Sequence, residues 1–97
     1  MPKGYVIACV DIHDEDRYAD YRAGTVASLE PFEGRFIVRG GATECVEGSW
    51  DAGRTVVIEF PSLEQARAWY GSDRYQEIAA IRREASTANI VIVEGVD

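Results

Sequence analysis

The chain is poor in the residues that most often carry catalysis or hold a metal. Its 97 residues include one histidine, His13, and two cysteines, Cys9 and Cys45, which lie far apart and form no Cys-x-x-Cys pair. Zinc centres draw on several His or Cys ligands. His13 with Asp11, Asp14 and Asp16 in "DIHDED" is therefore expected to form the acidic opening turn of a helix, and neither a metal nor a cofactor is expected. Two isolated thiols predict buried, reduced cysteines of a cytoplasmic protein. Without an evident activating base they are not expected to act as nucleophiles. No segment has the spacing of a Ser–His–Asp triad, a phosphate loop or a dinucleotide fingerprint.

Other absences set the class. No apolar run approaches the roughly 18 residues of a membrane span, and no charged n-region followed by an apolar stretch opens the chain. Neither membrane insertion nor export by the usual signal is expected. Linkers, low-complexity tracts and charge blocks are lacking, and residues 1–97 are read as one domain. Positive charge is scarce: 10 Lys and Arg against 17 Asp and Glu leave a net charge of −7. Such a field repels phosphate backbones and anionic lipid, which excludes nucleic acid and membrane surfaces as expected partners. With 46% hydrophobic and 28% charged residues, the balance is that of a globular protein rather than a disordered one.

What is present is a regular alternation of short apolar runs and amphipathic stretches. "YVIACVDI" (5–12) is β-branched, too short for a helix, and predicts a strand covered on both faces. "DEDRYADYRAGTVASLEP" opens on carboxylates and stops at Pro31, with Tyr18, Tyr21, Thr25 and Leu29 on one helical stripe. Gly24 weakens that helix by about 1 kcal/mol relative to Ala, which suggests a close contact there. "RFIVRGG" and "RTVVIEF" predict two further strands, with "TECVEG" continuing the first past its glycines and "EGSWDAG" supplying the turn of a hairpin. Centred near Ser49, that hairpin sets Arg39 opposite Glu59 and Glu44 opposite Arg54. Ser62 and Gln65 have capping-box spacing ahead of a helix that carries Leu63, Ala66, Trp69 and Tyr70 and is capped by Gly71. Ser72 or Asp73 caps a second piece with Tyr75, Ile78, Ala79 and Arg82, and "NIVIVEG" from Asn89 closes as a strand.

The order is βαββαβ, so the expected fold class is α+β, ferredoxin-like, with a four-stranded antiparallel sheet and the helices on one face. "VVI" and "IVIV" place apolar residues on both faces of that sheet. One chain has helices for only one of them, so the other face predicts a homodimer, sheet against sheet about a two-fold axis.

"GRFIVRGG", "VEGSW", "RTVVIEFPS", "WYGSDRYQ" and "NIVIVEG", in this order and spacing, resemble the family of domains of unknown function designated DUF1330, from about Gly4 to Val96. The resemblance implies a branch of the dimeric α+β barrels, small ferredoxin-like proteins that pair through their sheets. Relatives at that broader level include cofactor-independent monooxygenases of antibiotic synthesis, isomerases and decyclising enzymes. The family's typical positions fall here on Arg39, Gly40, Gly41, Glu59, Phe60, Pro61, Tyr70, Ser72, Tyr75 and Arg82; His13 lies in none of the matching motifs.

These positions supply the candidate site. Arg39 is either half of a cross-strand ion pair with Glu59 or an anchor for an anion, since a guanidinium grips a carboxylate through two parallel hydrogen bonds. Gly40 and Gly41 are read as a bulge or a positive-φ bend. Glu59 between apolar neighbours is a candidate general base if it is poorly solvated, and otherwise an ionised partner of Arg39. Tyr70, Ser72, Tyr75 and Arg82 are ligand-binding candidates around the break between the two helical pieces, where Ser72 and nearby backbone N–H groups favour an anion. Trp69, Tyr18 and Tyr21 are expected mainly in the core. Three functions follow: a cytoplasmic homodimer binding a small anionic or aromatic metabolite between helices and sheet; a cofactor-independent enzyme of the monooxygenase or isomerase kind; or a structural dimer with no ligand.

Overall fold

The acidic run that opens the first helix behaves as its composition dictates. The Asp14 side chain accepts a hydrogen bond from the backbone N–H of Arg17 at 3.0 Å, capping the helix, and His13 stands exposed beside it. A computed structural model describes residues 1–50 and 53–97. Along the chain it gives β1 (Gly4–Ile12), α1 (Glu15–Leu29), a short 3-10 turn (Glu30–Phe32), β2 (Arg35–Arg39), β3 (Arg54–Phe60), α2 (Leu63–Gly71), α3 (Asp73–Ala85) and β4 (Ser86–Glu94). The sheet is antiparallel throughout, in the order β2-β3-β1-β4.

Serine sets both later helix starts. Ser62 accepts from the backbone N–H of Gln65, as its spacing predicts. Ser72 separates α2 from α3: its hydroxyl accepts from the N–H of Tyr75 and donates to the carbonyl of Trp69 at 2.7 Å. Gly71 is the last residue of α2, and the cap is Ser72 in extended geometry rather than a left-handed glycine. β4 begins at Ser86, three residues before the expected Asn89, because Ser86 follows directly on α3 and its hydroxyl takes up the Arg82 carbonyl.

The two central strands, β1 and β3, alternate between buried and partly exposed residues. Val6, Ala8 and Val10 of β1 and Val56, Ile58 and Phe60 of β3 are buried beneath the helices, against Tyr18, Tyr21, Leu29, Trp69, Tyr75 and Ala79. Gly24 does permit a close contact, since a Cβ there would lie 3.1 Å from the Ile78 side chain of α3. The opposite face carries Tyr5, Ile7, Cys9, Val57, Val91 and Val93; Val91 and Val93 are exposed in the single chain. Cys9 is half-buried and Cys45 fully exposed, so the expectation of two buried thiols fails for Cys45, which lies on the loop after β2.

The expected hairpin register is also corrected. Arg35, not Arg39, is the neighbour of Glu59; Arg39 lies opposite Val56, and a bulge between Phe36 and Val38 separates the two registers. The strand ends at Arg39 and "TECVEG" is exposed loop, so Glu44 has no place opposite Arg54. The turn expected over "EGSWDAG" falls partly on residues 51 and 52, outside the described residues. Gly40 is the physical reason the strand stops. Its φ is +72°, and a Cβ on it would lie 2.7 Å from Cζ of Arg54. Gly41 has no neighbour within 4 Å and is not among the positive-φ residues, so the bend belongs to Gly40 alone.

Gly40→Ala is expected to lower stability by about 1–2 kcal/mol in urea unfolding, the cost of the left-handed conformation for a residue with a Cβ. Gly41→Ala, with open space around it, should change it little. Equal effects of the two would remove Gly40 from this role.

Candidate functional site

Alternation along β3 points Arg54 the same way as Val56, Ile58 and Phe60, toward the helices. Arg39, opposite Val56 at the end of β2, shares that face. From above, α1 contributes Tyr18, Tyr21, Arg22 and Thr25, and α3 contributes Tyr75 and Arg82. Together these enclose a small cavity of about 30 Å³ over Ala8. That is room for about one water molecule.

The hydrogen bonding inside is spare and directional. The hydroxyls of Tyr21 and Tyr75 meet at 2.9 Å, joining α1 to α3, and Arg82 Nε donates to the Tyr75 hydroxyl at 3.4 Å. The Arg82 guanidinium also lies 5.9 Å from the Tyr21 ring centre, while Arg22 lies 5.5 Å from that of Tyr18. Arg82 is 6% exposed, yet no carboxylate among the described residues forms an ion pair with it. Arg54 Nε is buried without a hydrogen-bond partner; one terminal nitrogen reaches the Arg39 carbonyl at 3.5 Å. Burial pushes the phenols of Tyr18 and Tyr21 up from their ordinary value, with the neighbouring Tyr75 adding to the effect at Tyr21. Burial opposes the charge of Arg82, but Tyr75 together with Tyr21 and Tyr70 outweighs it, and the guanidinium is held protonated. Both phenols are thus donors over the physiological range, not bases.

Four arginines, Arg22, Arg39, Arg54 and Arg82, line the cavity, and no Asp, Glu, His or Cys among the described residues does so. In a chain with 17 carboxylates to 10 cations this is a local reversal of sign. Burial grades the four: Arg82 is buried, Arg22 and Arg54 half-buried and Arg39 exposed, its guanidinium 4.2 Å from the Phe36 ring centre. On the β3 side the cavity adjoins a groove of about 390 Å³ that shares Val10, Arg22 and Arg54 with it and also holds Asp11, Glu15 and Gly40. On the β4 side a groove of about 420 Å³ shares Arg82 and Ile90.

The residues singled out from sequence therefore divide. Arg39, Tyr75 and Arg82 meet at the cavity, and Tyr70 lines the β4-side groove with Arg82. Ser72 is committed by both of its hydroxyl bonds to joining α2 and α3. Glu59 lies on the opposite sheet face. There it receives Arg35 at 2.9 Å, Lys3 at 3.4 Å and the Tyr5 hydroxyl at 3.5 Å. The hydrogen-bonded Arg35 guanidinium holds its carboxyl below the usual carboxylate range, burial opposing and Lys3 assisting. Trp69 is core, its Nε1 donating to Ser28 Oγ at 3.0 Å. Arg22 and Arg54 were not anticipated. The signal was available for both: Arg22 sits four residues after Tyr18 on the buried stripe, and Arg54 continues the inward period of β3.

A βαββαβ chain with sheet order 2-3-1-4 and helices on one face has the ferredoxin-like α+β fold. The chain belongs to the DUF1330 family: the family model "Domain of unknown function" matches residues 3–96. Among solved structures it is similar to a protein of unknown function from Rhodopseudomonas palustris, at TM-score 0.75 and 14% identity, covering 99% of this chain and 84% of that one. A dimeric ferredoxin-like protein of unknown function from a Jannaschia species aligns at TM-score 0.67 and 13% identity, covering 98% and 99%. SnoaB, a cofactor-independent oxygenase from Streptomyces nogalater, aligns at TM-score 0.65 and 13% identity, covering 100% and 96%. No curated protein matches. At these identities the likeness carries the fold. Among the described residues no helix is long and apolar enough to cross a membrane.

Two pH effects of opposite direction follow. Above about pH 10 the unfolded chain loses phenolic protons that native Tyr18 and Tyr21 keep, so stability falls by about 1.4 kcal/mol per pH unit for each retained proton. Phenolate absorbance should show these two ionising only as the protein unfolds, and Tyr21→Phe should flatten the alkaline limb. Glu59 acts on the acid side, because its depressed value stabilises the fold above the ordinary carboxylate range and that stability is lost as pH falls through the native value. Glu59→Gln should flatten the acid limb below about pH 4. An unchanged acid limb in that variant would show that the Lys3–Arg35–Glu59 cluster contributes nothing.

Proposed function

We propose that this DUF1330 protein is a cytoplasmic homodimer that binds a small carboxylate-bearing metabolite at the arginine-lined cleft between helices and sheet. The observation that carries the reading is Arg82, a guanidinium 6% exposed with no carboxylate partner among the described residues, in a wall of four arginines and no acid. A buried charge without a counter-charge is costly, and an incoming anion supplies one. The cavity itself holds about one water. The ligand therefore places one carboxylate oxygen there and the rest of its head and body in the adjoining groove at Arg22 and Arg54, with Arg39 at the rim and Tyr75 orienting Arg82. Of the remaining sequence candidates, Tyr70 serves at the β4-side edge, and Ser72 acts through the position it gives Tyr75.

Dimerisation draws support from the outer sheet face. Ile7, Val57, Val91 and Val93 form an apolar surface at the sheet centre and β4 edge, which water solvates poorly. A second copy laid face to face covers it and places the two helical layers outside.

A second reading, a cofactor-independent enzyme, is favoured by one feature: the phenols of Tyr21 and Tyr75 beside Arg82 form a donor set suited to a developing oxyanion. Glu59, on the other face and ion-paired, is poorly placed as its base. A pH–rate profile abolished in Tyr75→Phe and kept in Glu59→Gln is the signature that reading requires.

Sedimentation at micromolar concentration should give a dimer, and Val57→Glu with Val91→Glu a folded monomer; a wild-type monomer would sink the barrel assembly. Calorimetric titration with acetate, benzoate and naphthoate should show saturable binding, weakened about tenfold in Arg54→Gln by loss of one charge-assisted contact. Equal binding by neutral amides of the same shape would overturn the anion reading.

A further inference from the structure

Arg82 is a wall between two voids, and only one of them is used by the reading above. Its side chain lines the inner cavity and also the groove of about 420 Å³ between α3 and β4. Nε is engaged by the Tyr75 hydroxyl at 3.4 Å. Its terminal nitrogens have no hydrogen-bond partner among the described residues, and neither is among the fully buried orphans. They therefore retain access to water although the residue as a whole is 6% exposed. Both the inner cavity and the groove between α3 and β4 border this side chain, so either can carry that access.

The rest of the groove is built for the same chemistry. Arg83 borders it, tethered by a 2.9 Å bond to Gln76 Oε1, with Tyr70 and Ile90 giving it an aromatic and apolar side. No carboxylate among the described residues lines it. The ordinary compensations for a buried cation are partial here. The C-terminal end of α3 offers about half a charge, the Arg82 carbonyl is already taken by the Ser86 hydroxyl, and the Tyr21 ring is 5.9 Å away.

We propose that the groove between α3 and β4 is a second carboxylate-binding site, reading a planar carboxylate through the terminal nitrogens of Arg82 with Arg83 as the outer cation. Arg82 lines both voids and so couples the two sites. The ligand class is a monocarboxylate with a flat apolar body, since Tyr70 and Ile90 supply the surface for one and a guanidinium fork matches two coplanar oxygens. The inference rests on the anion-binding reading for its chemistry but on a different groove for its location.

The test is an NMR titration of the isotope-labelled protein with benzoate, and separately with benzamide, at constant ionic strength. Benzoate is expected to shift the Thr87 and Ala88 amides, which line this groove and not the inner cavity, saturably, and benzamide to leave them in place. Arg83→Gln should weaken the response at this groove about tenfold, the loss of one charge-assisted contact, while leaving shifts at Arg22 and Arg54 unchanged. If benzoate moves only the Arg22 and Arg54 resonances, the second site is overturned and the first reading stands. If it moves neither set, both fall. A benzamide response equal to that of benzoate overturns the carboxylate assignment, as does an Arg83→Gln variant with undiminished affinity. Arg82→Lys, which keeps the charge and loses the fork, should retain the fold and lose the preference for a planar carboxylate.

Discussion

The 2.9 Å contact between the hydroxyls of Tyr21 and Tyr75 is the interaction on which the rest of this cleft depends. It crosses between α1 and α3 at a level where both helices are otherwise packed by carbon, and Gly24 against Ile78 is what lets them approach. Each phenol needs a polar partner once buried, and each is the other's. Arg82 Nε then donates to the Tyr75 oxygen at 3.4 Å. Remove the pair and the guanidinium has neither an anchor nor a reason to remain under the helices. Packing, polar satisfaction and charge placement thus meet in three side chains.

Charge segregation gives the fold its functional direction. Carboxylates dominate the chain, yet they are absent from the cavity wall among the described residues, while four arginines converge there. The sheet is what sorts them. Arg39 and Glu59, two candidates on neighbouring strands, point to opposite faces, so one joins the helix-side cavity and the other the outer cluster with Lys3 and Arg35. A one-residue change of register would exchange the two environments. The bulge between Phe36 and Val38 is therefore a determinant of the site, since beyond it Val38 turns outward opposite Val57 and Arg39 inward opposite Val56.

Much of this was legible in the sequence, for identifiable reasons. The strands announced themselves by β-branched runs, and the helices by Asp14, Ser62 and Ser72 at their starts, each of which makes the backbone contact its chemistry predicts. The βαββαβ order and the two-sided apolar sheet followed from pattern and resemblance. The hairpin register did not. Complementary charges at Arg39 and Glu59, and at Glu44 and Arg54, suggested a tight pairing, but surface charge pairs are worth too little to set register against a positive-φ glycine and a bulge. Arg54 was consequently assigned to Glu44, and its place in the inward series with Val56 and Ile58 went unread. Arg22 was passed over because charge on an acidic, exposed helix reads as solvated, although its position one turn after Tyr18 sets it at the cavity.

The size of the cavity constrains what such a site does. At about 30 Å³ it is too small for an aromatic body, which needs a void on the order of 150 Å³. Its volume matches a single oxygen-sized group. The chamber is rich in donors and lined by no acid among the described residues, with the Tyr18 and Tyr21 phenols held protonated by burial and Glu59 turned to the other face. Catalysis at the same place would have to draw its base from the substrate itself, since no carboxylate, histidine or cysteine among the described residues lines the cavity.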